Sequence, residues 1–201
     1  MSTTLPNNLR ARPGALSGTG LSSRLPRRRT ALKCVHWAMA PLIVWFLFVT
    51  PSVVLEFGGQ RAFRIHSNIA LVFVTLSLLW FADYLRRGLA GRPGPKLPRW
   101  GRILHRWLHR LLIWGLFGVA LTGFLLGLTS AVVLKAGGWL PFAPPLDLER
   151  ANEAIGRVHI AEFYMLAAVV VIHAGFHVWR HLRLRDNALR IMAPRALHRW
   201  L

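Results

Sequence analysis

The sequence predicts an all-α membrane protein, a bundle of four transmembrane helices with both termini in the cytoplasm. Three observations lead there: long charge-free runs, their length, and the sorting of basic residues between the connections. Between Lys33 and Glu56 lie 22 residues without Asp, Glu, Lys or Arg, between Arg64 and Asp83 18, and between Arg110 and Lys135 24. A fourth run of 22 residues, Val158 to Trp179, is broken only by Glu162. About 20 apolar residues rising ~1.5 Å each span a ~30 Å hydrocarbon core, so each run is long enough to cross a bilayer. In 201 residues, 54% of them hydrophobic, four crossings leave little room for another domain.

The basic residues set the orientation. Lys and Arg number 7 before the first run, 8 in the connection Asp83–Arg110 and 6 after the fourth run, against 2 and 3 in the other two connections. Cytoplasmic loops carry that excess. The same sorting accounts for the net charge of +19 and pI near 12, and it excludes nucleic acid as the reason for them. One cysteine, Cys34, excludes an internal disulfide, a covalently attached c-type haem and an iron–sulfur cluster held by this chain alone. Cys34 reads as a small apolar residue at the mouth of the first helix.

Along the chain, residues 1–29 form a basic segment rich in Pro, Gly, Ser and Arg, expected to be disordered. The RRRTALK that follows resembles a twin-arginine signal, but no small-residue cleavage site comes after the apolar run, so a retained first helix is expected. The membrane domain is expected over 30–196, with a tail at 197–201. Helix 1 is placed at 34–55 with Pro41 and Pro51 as kinks, helix 2 at 65–85, helix 3 at 104–132 and helix 4 at 157–182. The basic loop LRRGLAGRPGPKLPRWGR joins the second and third helices. The longest outer loop, AGGWLPFAPPLDLERANEAIGR, is expected to lie on the membrane as a cap.

The histidines carry the functional signal. Ionisable side chains in hydrocarbon are costly and mark functional interiors. His36 lies near the cytoplasmic end of helix 1 and His66 near the outer end of helix 2; helix 4 carries His159 towards the outer side and His173 towards the inner. His159 and His173 are 14 residues apart, close to four turns, so they share a face and stand ~21 Å apart along the axis. Matched depths suggest two clamps, each holding a planar macrocycle between imidazoles on facing helices. Imidazole on both axial positions of haem iron suits electron transfer. The sequence therefore points to two non-covalent b haems, with a haem-free transporter using a histidine proton relay as the competing reading.

The remaining polar positions stay open. His177 is five full turns from His159 and by geometry alone can replace His173 as a ligand. His105 and His109 open helix 3 as interfacial basic residues, or as propionate, quinone or proton contacts near the inner haem. A zinc site from that pair needs further ligands, which the sequence does not identify. Glu162, three residues after His159, is a partner for that ring, a proton carrier or a snorkelling acid. His181 has no assigned role, and His198 belongs to the tail.

On these residues the chain resembles the bacterial cytochrome b561 family. The likeness is carried by LKCVHWAMAPL, IHSNIAL, LHRWLHRLLIWGLFGVALTG and the paired helix-4 histidines followed by HLRLRDNALRIMAPR. It covers about residues 30–196, and it departs from the family's pattern at Ala70, where a glycine is usual. The resemblance implies a four-helix di-haem b cytochrome of the bacterial inner membrane. It pairs His36 with His173 on the inner haem and His66 with His159 on the outer haem, the alignment through RDNAL favouring His173 over His177. His109, His177 and Glu162 are candidates for further cofactor contacts. It also implies electron transfer linked to the quinone pool, with superoxide oxidised at the outer face in at least some members. Arg61, Arg64 and Arg157 would give such an anion a positive mouth. The alternative is the membrane cytochrome b subunit of a larger dehydrogenase or hydrogenase. Expected partners are membrane lipid, quinone and an outer-side redox donor, superoxide or a protein; a homodimer stays open.

Overall fold

The computed structural model describes residues 28–91, 93–136, 139–193 and 198–199. Most of the basic leader and of the tail thus lies outside the described residues. Helix α1 runs from Arg28 to Phe48, so Arg28 and Arg29, assigned to the leader by sequence, open the first helix. Helix α2 covers Pro51–Arg87, α3 Arg99–Thr129 and α4 Glu149–Trp179. A π-helical turn, Arg180–Leu184, and a short α5, Ala188–Met192, follow. Four helical segments are long and apolar enough to cross a membrane: Arg28–Phe48, Arg64–Arg87, Arg99–Thr129 and Glu149–Leu184. The protein is a multi-pass, mostly helical membrane protein.

The first helix ends earlier than its apolar run suggests. Pro51 does not kink it; Pro51 sits in the first turn of α2, where a missing N–H costs nothing, behind Thr50, whose Oγ1 accepts the Val53 N–H at 3.4 Å. The charge-free stretch 34–55 is thus shared between two helices. Gly59 breaks α2 with φ 55° and ψ −157°, a left-handed backbone that only glycine adopts without strain. The membrane-crossing part begins beyond it, at Arg64.

The long connection is shorter than expected and partly paired. Leu134–Ala136 (β1) and Leu140–Ala143 (β2) pair as an antiparallel hairpin, and α4 begins at Glu149, eight residues before the expected Arg157. Backbone N–H groups of Leu146, Asp147 and Leu148 donate to carbonyls of Leu128, Ser130 and Thr129. Asn152 Nδ2 donates to the Leu126 carbonyl at 2.7 Å and to Thr129 Oγ1 at 3.0 Å. These bonds satisfy the free carbonyls at the end of α3 and dock the start of α4 beside it.

At the opposite end the start of α1, the basic loop and the turn after α4 come together. Arg28 holds Asp83 with Nη2–Oδ2 at 2.8 Å and donates to the Gly88 carbonyl at 2.7 Å. Lys96 Nζ donates to the Arg185 carbonyl at 3.1 Å. Arg180 and Asp186, both buried, pair at 2.6 Å, and Asp186 Oδ1 accepts the Ala188 N–H. Arg185 and Asn187, on either side of Asp186, have positive φ of 46° and 56°. The RDN segment is therefore a tight turn wrapped round a buried ion pair.

The bundle packs α1 on α2, α2 on α3, and α3 along α4. Met39, Phe73, Leu116, Val119 and Leu166, one or two from each helix, form an apolar cluster at mid-depth. Leu166 lies midway between His159 and His173, so this cluster separates two tiers of histidines. Large apolar side chains such as Phe48, Phe57, Val171 and Leu182 face outwards, as a lipid-facing surface permits. Hydroxyls inside the bundle bond their own helix: Ser77 to the Phe73 carbonyl and Thr129 to the Leu125 carbonyl.

Candidate functional site

Helices α3 and α4 run antiparallel and close together, and their contacts step in register from one histidine tier to the other. Gly115, Gly118 and Gly123 make the approach possible. A methyl group built on Gly123 would lie 3.1 Å from His159 Cε1, one on Gly118 3.4 Å from Glu162 Oε1, and one on Gly115 3.1 Å from Leu166 Cδ1. Small residues at a helix interface let backbones meet without a hydrophobic driving force.

In the tier at the hairpin end, His159 Nδ1 lies 2.9 Å from Thr122 Oγ1, and Thr122 Oγ1 lies 2.8 Å from Glu162 Oε2. The threonine hydroxyl has one proton, and the oxygens of Glu162 and of the Gly118 carbonyl (3.0 Å) are its acceptors. With the hydroxyl proton given to either of these acceptors, the bond to the ring comes from His159 Nδ1–H. The ring is held in one tautomer, with the lone pair on Nε2. His66, buried on α2, meets Phe46 edge-on at 5.1 Å between centroids, and its Nδ1 has no partner.

The tier at the basic end is more crowded. His36 packs edge-on against Trp37 and Trp80, with centroids 6.0 and 6.2 Å away. The His173 ring lies 4.8 Å from that of His109 and 4.6 Å from that of His177. His105 and His109 are 4.1 Å apart, and His109 Nδ1–H donates to the His105 carbonyl at 2.7 Å. Buried Nδ1 atoms of His36, His105 and His173, and Nε2 of His177, have no hydrogen-bond partner. His181, on the π turn, also has an unpartnered Nδ1, while His198 Nε2 lies 3.2 Å from the Ala193 carbonyl.

Sequence reasoning found the histidines and Glu162 but passed over Thr122, the link between His159 and Glu162. Its only signal was a hydroxyl one turn from Gly118 in an otherwise apolar run. Among the described residues no direct ring contact joins His36 to His173 or His66 to His159; the members of each pair sit on different helices, one pair on each side of the apolar cluster. Buried polar groups normally find partners. Among the described residues six histidines present an unpartnered nitrogen, His66 at the hairpin end and His36, His105, His173, His177 and His181 at the basic end.

The family model for prokaryotic cytochrome b561 matches residues 27–195. The chain belongs to the prokaryotic cytochrome b561 family. Membership brings b-type haem and membrane electron transfer. No curated protein matches the chain. The donor set fits the cofactor: imidazole is the ligand that b-type cytochromes use on iron. The buried ring nitrogens of His36, His66 and His173, which no other protein group satisfies, place imidazole donors inside the bundle.

Proposed function

We propose that this cytochrome b561 carries electrons across the membrane with two b haems, His36 and His173 holding one at the basic end and His66 and His159 the other at the hairpin end. The observation that carries this reading is a tier of histidines on either side of the apolar cluster, His36 and His173 with buried, unpartnered Nδ1 atoms at the basic end, and at the hairpin end His66, also unpartnered at Nδ1, with His159 held by Thr122. Each haem supplies a one-electron carrier whose axial positions are both filled. The chain's own contribution is to hold and orient the rings and to keep water out. Thr122 fixes the His159 tautomer and couples it to Glu162, and the aromatic contacts of Trp37, Trp80 and Phe46 restrain His36 and His66. The excess of Lys and Arg at the basic end puts both termini on the cytoplasmic side of a bacterial inner membrane. That assigns 30–196 as the membrane domain, with a basic leader before it and a short tail after it.

The electron route proposed runs to the quinone pool, with superoxide as the donor at the outer face. Giving up one electron converts superoxide to dioxygen; two such electrons and two protons convert a quinone to its quinol. Arg61 and Arg64 are exposed near the outer end of α2, and Arg157 lies on α4 paired with Glu153 at 2.9 Å. Arg61 and Arg64 are thus the stronger attractants for a small anion, because Glu153 offsets Arg157.

The test is to purify the holoprotein, count b haem per chain, and mix it with superoxide in a stopped-flow spectrometer with and without ubiquinone. Two haems per chain, reduced by superoxide and reoxidised by quinone, are expected, with a rate that falls as salt rises. A protein with two haems that superoxide leaves oxidised removes the donor and points to a protein donor on the outer side. A protein that holds no haem removes the whole reading.

A further inference from the structure

His105, His109 and His177 form a second cluster whose arrangement the electron path does not explain. Their candidate ligand nitrogens all lie within 4.8 Å of one another. His105 and His109 stand one turn apart on α3, and His177 faces them from α4, with its ring 5.9 Å from His105 and 5.8 Å from His109. Sequence spacing supplied only the pair on α3; the third donor appears only when the antiparallel register of α3 and α4 is known.

Three features prepare these rings for a cation. His105 is 3% exposed, and its buried Nδ1 has no hydrogen-bond partner. His177 Nε2 is likewise buried and unpartnered. His109 spends its Nδ1–H on the His105 carbonyl, which leaves the Nε2 lone pair free. Fixing one imidazole nitrogen on a backbone carbonyl so that the other can ligate is the usual way proteins orient histidine for a metal. The loop before α3 closes over the group at Gly91, where a methyl group would lie 3.4 Å from His105 Cε1 and 3.5 Å from His109 Nε2. The absence of a side chain there keeps open the space beside the nitrogens.

We infer that His105, His109 and His177 bind a divalent first-row metal ion, zinc being the expected one, at the basic end of the α3–α4 interface. An all-imidazole set suits zinc, copper and nickel better than magnesium or calcium. Three histidines with water in the fourth position is a known zinc arrangement, with Zn–N of about 2.0–2.1 Å. Tetrahedral geometry at that length places the nitrogens about 3.3 Å apart. Closing from the present spacing moves each nitrogen by about 1 Å, within reach of side-chain rotation. The ion would tie α3 to α4 one turn from His173 and fix the end of the bundle that carries the ring.

The experiment uses full-length holoprotein in detergent, incubated with zinc chloride and passed through gel filtration with a weak chelator. Zinc and haem per chain are then measured on the same sample. One zinc per chain is expected, with an X-ray absorption spectrum showing imidazole nitrogens at the distance above. His177→Ala and His105→Gln should reduce zinc to background with haem per chain unchanged, while His198→Ala keeps both. If His105→Gln does not fold, His177→Ala alone decides. Zinc that washes off the wild type, an adventitious ion only, overturns the inference. So does zinc held equally by His177→Ala, or a His177→Ala protein that loses haem in place of zinc. Zinc retained by a protein without haem would leave this site standing and remove the di-haem reading.

Discussion

Thr122 shows how much a single hydroxyl can decide. It receives the His159 Nδ1–H and passes its own proton towards Glu162, so the carboxylate acts on the imidazole through one intervening atom. Hydrogen bonding of a ligating histidine to an acceptor raises its basicity and favours the oxidised metal. Thr122→Val and Glu162→Gln are therefore expected to raise the midpoint potential of one haem, on the order of tens of millivolts where 59 mV is a tenfold change for one electron. The other haem should stay where it is. A redox titration in which neither variant moves either potential would show that Thr122 and Glu162 serve packing alone. The sequence placed Glu162 beside His159 because helical spacing within α4 is readable. Thr122 was not readable, since a threonine in an apolar helix ordinarily bonds its own backbone, as Ser77 and Thr129 do here. Which residue of α3 faces which residue of α4 is set by packing between helices, and that information is absent from either run alone.

Among the elements, the turn after α4 carries the sharpest prediction. Arg180 and Asp186 are almost wholly buried, bonded at 2.6 and 2.9 Å, and the turn that joins them contains the left-handed residues Arg185 and Asn187. Breaking a buried pair by removing one partner leaves an uncompensated charge and costs about 3–5 kcal/mol, whereas replacing both by apolar groups is often near neutral. Asp186→Leu should lower the unfolding temperature in detergent sharply, and the double variant Arg180→Met with Asp186→Leu should recover most of the loss. A single variant as stable as the wild type would mean that the pair is open to solvent. The RDNAL segment was legible in the sequence as a family signature, yet its role as an ion-paired turn was not. Element boundaries were the weakest part of the sequence reading for a related reason. Hydropathy marks where a chain can lie in lipid, while Pro51 and Gly59 decide where one helix stops and the next begins. The hairpin Leu134–Ala143 escaped notice because its strands are too short to show a period.

For the molecule as a whole, the four crossings, the family and the histidine-bearing depths were all visible in the amino-acid order, since hydrocarbon thickness and charge cost constrain them strongly. The structure adds that the two histidine tiers are divided by one apolar cluster, with Leu166 at the midpoint of α4. In the di-haem reading proposed above, an electron passes between two centres stacked along the membrane normal, so each tier should hold its cofactor independently of the other. The direct measurement is b haem per chain, with reduced-minus-oxidised spectra, for the wild type, His36→Ala and His159→Ala. The expected result is two haems in the wild type and one in each variant, with the spectral component lost from His36→Ala differing from that lost from His159→Ala. A wild type with a single haem that both substitutions leave in place would contradict the two-tier account and return the buried histidines to a proton path.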